Sequence, residues 1–202
     1  KLNKTNNVLC VLLGNGFANC SDYDIWGNDT ASYRAAPKFA LTLQADGKTV
    51  VETDEKFVVA DSAITFDDFR CGERYDARLE IADVLTSATT DGFEPVIVVQ
   101  PPKGKVVPNN TQPIVAGKPK KAINIFKTKT GYLYDFGIND MGVCKLSLLT
   151  AESGQQIDIY FGEVLDGDNC IDYRNISFAQ TNLEYNQHDV YVCKSGAQTY
   201  MP

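Results

Sequence analysis

Apolar and polar positions along the chain follow the period of strands, not of helices. Residues 8–13, Val-Leu-Cys-Val-Leu-Leu, form a continuous apolar run closed by Gly14-Asn15-Gly16, which predicts a buried strand entering a tight turn. Residues 37–44 alternate towards Asp46-Gly47, and residues 49–53 resume the pattern, which predicts a hairpin with a short Asp-Gly loop. Short β-runs follow at 56–60 and 95–100. After a proline-rich stretch, alternation returns at 122–126, 132–136, 143–149 and 157–161, with turns at Thr130-Gly131 and Ser153-Gly154, and a last strand at 190–193. No segment of ten or more residues carries a helical period.

Six of the eight prolines lie between Pro95 and Pro119, among Lys103, Lys105, Lys118, Lys120 and Lys121. Aperiodic proline with solvated charge marks a connector, so the expected organisation is two all-β sandwiches, residues 1–111 and 112–202, divided near Gln112. A chain of 202 residues is long enough to bury a core in either half.

Composition sharpens this picture in three places. Ten Phe, ten Tyr and many β-branched residues favour strands. The net charge of -7 argues against nucleic acid and against an anionic membrane surface as partners, and leaves a neutral sugar compatible. No stretch reaches the roughly 18 apolar residues of a membrane-spanning helix. The first residues resemble a signal peptide only superficially: their apolar part is six residues ended by Gly-Asn-Gly, and the chain says nothing about export. Six cysteines show neither a C-x-x-C pair nor clustered histidine, which speaks against zinc, and they are expected as free thiols.

Candidate chemistry concentrates in three places. The polar segment 17–33 holds the lone tryptophan, Trp26, which offers a ring face for a sugar, with Asp22, Asp24 and Asn28 as polar partners. The same loop offers oxygens for calcium at Asp22, Asp24, Asn28 and Asp29. The EF-hand pattern fails there, because Trp26 and Tyr33 fall where that loop needs ligands, so only a looser calcium site is expected. The bland alternative for Trp26 is a core or interdomain aromatic. The second place is Asp166-Gly167-Asp168-Asn169, where Cys170 and Ile171 break the calcium pattern and a turn is the better reading. His188 stands in a polar stretch with no Ser or Cys beside it, and reads as a surface or capping histidine.

The third place is Gly72-Glu73-Arg74-Tyr75-Asp76-Ala77-Arg78-Leu79-Glu80. Glu73 and Asp76 are the carboxylates one would test as a glycosidic acid/base pair. Asp67, Asp68, Glu73 and Asp76 interleave with Arg70, Arg74 and Arg78, however, which favours mutual neutralisation and a structural joint.

This segment resembles the GE-x-YDAR motif of bacterial α-L-rhamnosidases, glycoside hydrolases that release terminal α-L-rhamnose. Leu12-Leu13-Gly14-Asn15-Gly16-Phe17 resembles the family's LGNGW/F turn, and Pro101-Pro102-Lys103-Gly104-Lys105-Val106 its GPxGKL segment. Asp135-Phe136-Gly137-Ile138-Asn139-Asp140-Met141-Gly142 resembles DFGQNxxG, and Glu163-Val164-Leu165-Asp166 resembles EVLD. The motifs keep the family's order from about Asn6 to Pro202. The resemblance implies β-sandwich regions that precede a catalytic (α/α) barrel working by inversion. With no long helix and with Tyr200-Met201-Pro202 resembling a YxP before the last strand of the second sandwich, the chain is expected to lack that barrel and to carry no catalytic residue of its own.

Four functions follow as expectations. The first is a non-catalytic region that braces the barrel and holds rhamnose-bearing glycans through Trp26, Asp22, Asp24 and Asn28. The second is a purely structural module, with Glu73, Arg74, Asp76 and Arg78 as the joint to the catalytic domain. The third is a stand-alone lectin-like module, and the fourth, hydrolysis by this chain unaided, is the least favoured.

Overall fold

The computed structural model describes residues 7–20, 27, 30–69, 71–86, 89–101, 104–175 and 188–202. Regular structure in them is all β, as the alternation predicts: twelve strands and three single-turn 3-10 segments, with no α-helix among the described residues. Grouped by contacts, the chain forms two units that interleave along the sequence. One comprises residues 1–13, 38–61 and 82–118, and the other 14–37, 62–81 and 119–202.

In the first unit β1 (Thr42–Ala45) and β2 (Lys48–Glu52) pair antiparallel across Asp46-Gly47. Both loop residues have positive φ, +50° and +74°. That is the two-residue turn whose twist matches its strands, and it explains why Asp-Gly was legible there. The short strand β3 (Val58–Val59) pairs with β6 (Glu94–Pro95), and Phe39 meets Phe57 edge-on at 6.0 Å.

The second unit holds the larger sheet. Strands β4 (Ile64–Asp68), β5 (Gly72–Asp76), β10 (Gln156–Tyr160) and β11 (His188–Val192) run in the spatial order β10-β11-β5-β4. The β11–β5 pair is parallel, with Val190, Tyr191 and Val192 opposite Arg74, Tyr75 and Asp76, whereas the flanking pairs are antiparallel. Strand β9 (Leu146–Leu148) pairs with β12 (Gln198–Tyr200), and β7 (Asn124–Lys127) with β8 (Tyr132–Asp135). The core lies between the inner face of the four-stranded sheet and the β9–β12 pair. Ala77, Tyr191, Cys193 and Tyr200 are buried there, with Tyr75, Leu146, Leu148, Ile157 and Ile159 packed against them. Two sheets closing on one apolar layer is sandwich construction.

Two expected strands differ from the structure. Residues 8–13 form no strand, and Leu12 is 68% exposed; the run at 95–100 pairs at its start alone among the described residues, through Glu94–Pro95 and a bond from Val96 N to Phe57 O, and Ile97 is 87% exposed. Apolar content favours a strand only where a neighbouring backbone completes the ladder. What the structure keeps at the first place is the turn. Asp67 accepts from Asn15 N at 2.7 Å and from Asn15 Nδ2 at 2.8 Å, and Asn15 Oδ1 accepts from Asn19 at 2.6 Å. Gly14 lies so close that a Cβ would stand 3.2 Å from the Asp67 carboxylate. Asn15→Ala leaves half of this partly buried carboxylate unpaired, so we expect a loss of about 2 kcal/mol in a urea titration; a change inside measurement error would show that the turn does not depend on it.

Cys10, Cys20, Cys144, Cys170 and Cys193 are free thiols, as expected; Cys20, Cys71 and Cys193 are buried and Cys10 is exposed.

Candidate functional site

Strand alternation sorts the charged motif onto two faces of β5. Glu73 and Tyr75 point into the sandwich and Arg74 and Asp76 point out of it. Two carboxylates on opposite faces of one strand cannot flank one glycosidic bond.

On the inner side Tyr200 Oη donates to Glu73 Oε1 at 3.0 Å, and Glu73 N donates to Asp189 Oδ1 at 2.9 Å. Burial raises the pKa of Glu73 and of Asp189, in Glu73 against the lowering effect of the tyrosine hydrogen bond, and the neighbouring Asp189 and Asp67 charges add to its rise. Tyr75 Oη donates to Glu80 Oε1 at 3.1 Å, and Lys194 pairs with the same carboxylate. Burial and Glu80 push the Tyr75 phenol up to about 12. Rings of Tyr75, Tyr191 and Tyr200 stack or tilt against one another with centroids 4.5–5.8 Å apart. This inner face is a polar clamp set in an aromatic core, joining β5, β11 and β12.

On the outer side Asp76 takes the whole fork of Arg78: Oδ1 accepts from Arg78 N at 3.0 Å and from Nε at 2.9 Å, and Oδ2 from Nη2 at 2.6 Å. This holds the Asp76 carboxyl below the ordinary range, with Arg78 as the first cause. It also caps the single turn Ala77–Leu79 and seats the small Ala77 in the core. The Arg74 guanidinium lies over the Phe66 ring at 5.4 Å.

Neighbouring strands complete this outer face. His188 Nε2 meets Asp158 Oδ1 at 2.9 Å, and Gln156 Nε2 donates to both Asp158 oxygens at 3.0 and 3.2 Å. The His188 ring lies parallel to Tyr160 at 4.1 Å, and Tyr160 meets Tyr173 edge-on at 6.2 Å. Between Arg74, Asp76, Gln156, Asp158 and His188 is an open hollow of about 380 Å³, also lined by Val190 and Val192. The structure thus brings together Arg74 and Asp76 with Gln156, Asp158 and His188, which lie far from them in sequence.

Trp26, Asp22, Asp24, Asn28 and Asp29 lie outside the described residues. Among the described residues no group of three or more His, Cys, Asp or Glu side chains is placed to hold a metal ion. Reading the sequence missed Asp189 and Tyr200 as partners of Glu73, and Asp158 as the partner of His188. The one available signal was the alternation at 188–192, which puts His188 on the same face as Val190 and Val192 and Asp189 on the other.

Comparison with known proteins identifies the setting. Residues 1–118 match the family described as Alpha-L-rhamnosidase N-terminal domain, and residues 126–202 match the Bacterial alpha-L-rhamnosidase concanavalin-like domain. A curated relative, an Alpha-L-rhamnosidase of Formosa agariphila, is 29% identical over 177 residues, 82% of this chain and 18% of the relative. Among solved structures, the alpha-L-rhamnosidase from Dictyoglumus thermophilum aligns with a TM-score of 0.75 and 29% identity over 93% of this chain and 20% of that one. The Streptomyces avermitilis alpha-L-rhamnosidase complexed with L-rhamnose aligns with 0.68 and 26% identity over 78% of this chain and 15% of that one. The chain therefore spans about a fifth of the length of these relatives.

Proposed function

The chain belongs to the bacterial α-L-rhamnosidases, through their N-terminal and concanavalin-like domains, and on that premise we propose that it is the non-catalytic β-sandwich part of an enzyme releasing terminal α-L-rhamnose from glycosides. Its role is to brace a catalytic domain, with Glu73, Arg74, Asp76 and Arg78 as structural groups. One observation carries this reading: the motif's carboxylates are already engaged, Glu73 by Tyr200 and Asp76 by Arg78, on opposite faces of one strand. A general acid or base needs a carboxyl aimed at open space beside its substrate.

Glu73→Gln tests the reading in the protein that carries this chain together with the proposed catalytic domain. Hydrolysis of an aryl α-L-rhamnoside is expected to stay within about twofold, whereas removing a general acid or base costs roughly 10²–10⁴-fold. A loss of that size in the folded variant would overturn the non-catalytic assignment, and a folded protein that hydrolyses no rhamnoside would overturn the enzymatic one. The same variant has a thermodynamic signature. Because the folded state raises the pKa of Glu73, its contribution to stability is present when it is protonated and lost as pH rises through the raised value. The melting temperature of Glu73→Gln relative to the parent should therefore rise from about pH 4 to pH 7.

A further inference from the structure

A brace needs a contact surface, and the charged motif does not supply one: Glu73 and Asp76 are engaged within this chain, by Tyr200 and Arg78. The hairpin of β7 and β8 offers a better one. Register sets Ile125 opposite Tyr134 and Lys127 opposite Tyr132, so these four side chains share one face, with Asn124, Phe126, Leu133 and Asp135 on the other. Leu133 and Asp135 are half-buried. On the first face Ile125, Tyr132 and Tyr134, with Ile123 and Phe136 flanking the strands, are 47–65% exposed.

Such a face calls for a cover. The core tyrosines Tyr75, Tyr191 and Tyr200 stack on one another and donate to Glu80, Gln198 and Glu73. Tyr132 and Tyr134 have neither a ring partner nor a hydrogen bond among the described residues. Contiguous exposed apolar side chains mark interaction surfaces, and tyrosine is among the residues enriched there. Neither edge of β7–β8 has a neighbouring strand among the described residues, and two strands alone are marginally stable in water. Ile97, Val106 and Ile114 are equally bare, but they lie on stretches without strand pairing and share no sheet face.

Charge narrows the occupant. Residues 119–134 hold four lysines and no Asp or Glu. Lys120 pairs with Asp140 and Lys129 with Asp168, which leaves Lys121 and Lys127 without a carboxylate among the described residues. A second copy meeting this face with its own would oppose lysine to lysine, and like charges across an interface weaken binding. An anionic membrane would attract the lysines and repel the rest of a chain of net charge -7. A partner on the same polypeptide is held at high effective concentration and needs only a modest interface. The relatives are long enough to supply one, since this chain spans about a fifth of their length. On the reading of the chain as part of an α-L-rhamnosidase, we propose that the Ile125, Tyr132 and Tyr134 face of β7–β8 docks the catalytic domain of the same polypeptide, on an apolar surface edged with carboxylates that meet Lys121 and Lys127.

Tyrosine nitration by tetranitromethane, mapped by mass spectrometry, tests this. In the 202-residue chain Tyr132, Tyr134 and the comparably exposed Tyr33 should react alike. In the protein that carries this chain together with the proposed catalytic domain, Tyr132 and Tyr134 should react at least about tenfold more slowly than Tyr33, because a favourable docking equilibrium uncovers them only a small part of the time. Lys127→Glu should restore much of their reactivity and Lys127→Arg should not. Both variants of the 202-residue chain should keep its melting temperature, since this side chain is exposed. Tyr132 and Tyr134 as reactive as Tyr33 in the longer protein, or protection unchanged by Lys127→Glu, would overturn the docking face. So would protection of the 202-residue chain that grows with its own concentration, which assigns the face to a second copy, or protection that needs vesicles of anionic phospholipid. Rhamnoside hydrolysis by the longer protein with both tyrosines open would remove the docking face and leave the proposed function standing. A folded longer protein without hydrolysis would remove the proposed function, and with it the occupant named here.

Discussion

Gly72→Ala is expected to cost about 2–6 kcal/mol, the sum of a backbone penalty of ~1–3 and an overpacking penalty of ~1–3. Gly72 opens β5 with φ +95°, a conformation that residues with a Cβ rarely adopt. A Cβ there would stand 2.4 Å from the His188 carbonyl oxygen, 2.8 Å from its carbon and 2.7 Å from Asp189 Oδ1. Two of those atoms are backbone of β11, which is held on both sides by β10 and β5 and cannot withdraw alone. The third is the carboxylate oxygen that receives Glu73 N, so displacement also loosens the clamp between the strands. With total stabilities of ~5–15 kcal/mol usual for domains, such a loss leaves the unit near unfolding. Urea unfolding followed by circular dichroism measures it. Gly47→Ala is the control: it shares a positive φ, +74°, but a Cβ there meets nothing within 4 Å, so it should show the backbone part alone. Equal losses at the two positions would refute the claim that the close approach of β5 to β11 is what excludes a side chain.

Tyr191→Ala is the second large effect, expected at about 3–5 kcal/mol. Its side chain is 1% exposed and lies between Tyr75 and Tyr200, at centroid distances of 5.8 and 4.5 Å. Removing it opens a cavity where three elements meet and forfeits two ring contacts of ~0.5–1.5 kcal/mol each. Tyr191→Phe should cost only ~1 kcal/mol, because the ring stays and only the 2.8 Å hydrogen bond from Oη to Gln198 Oε1 is lost. The pair of variants separates packing from hydrogen bonding. If the phenylalanine variant fell as far as the alanine one, the polar bond and not the ring stack would be holding β11 to β12.

These two predictions lean on contacts that differ in how legible they were. The Asp46-Gly47 hairpin could be read directly, since both turn residues must take positive φ and that pair tolerates it best. The Asp76–Arg78 pair was also legible, because it closes over two residues with a turn between. Glu73 was read as a structural carboxylate, and its partners were not legible, since Asp189 and Tyr200 stand 116 and 127 residues away. His188 read as a surface or capping residue, and the structure makes it a half-buried neighbour of Tyr160 and Asp158. The apolar run at 8–13 misled for a related reason: its composition suits a buried strand, but among the described residues it forms none.

By itself the sequence determined the all-β class, the positions of the tight turns and the family, since each depends on residues adjacent in the chain or on motifs kept in order. Strand period, φ tolerance and side-chain type act over two to five residues and need no partner to be read. Only the tertiary structure decided that the charged motif runs parallel to a strand more than a hundred residues later, and that two valines, Asp158 and Arg74 share one hollow. Hydrogen bonds between strands carry no record of sequence separation. Which distant backbone completes the ladder is set by the joint burial of Tyr75, Tyr191 and Tyr200, a property of the packed molecule and of no single segment.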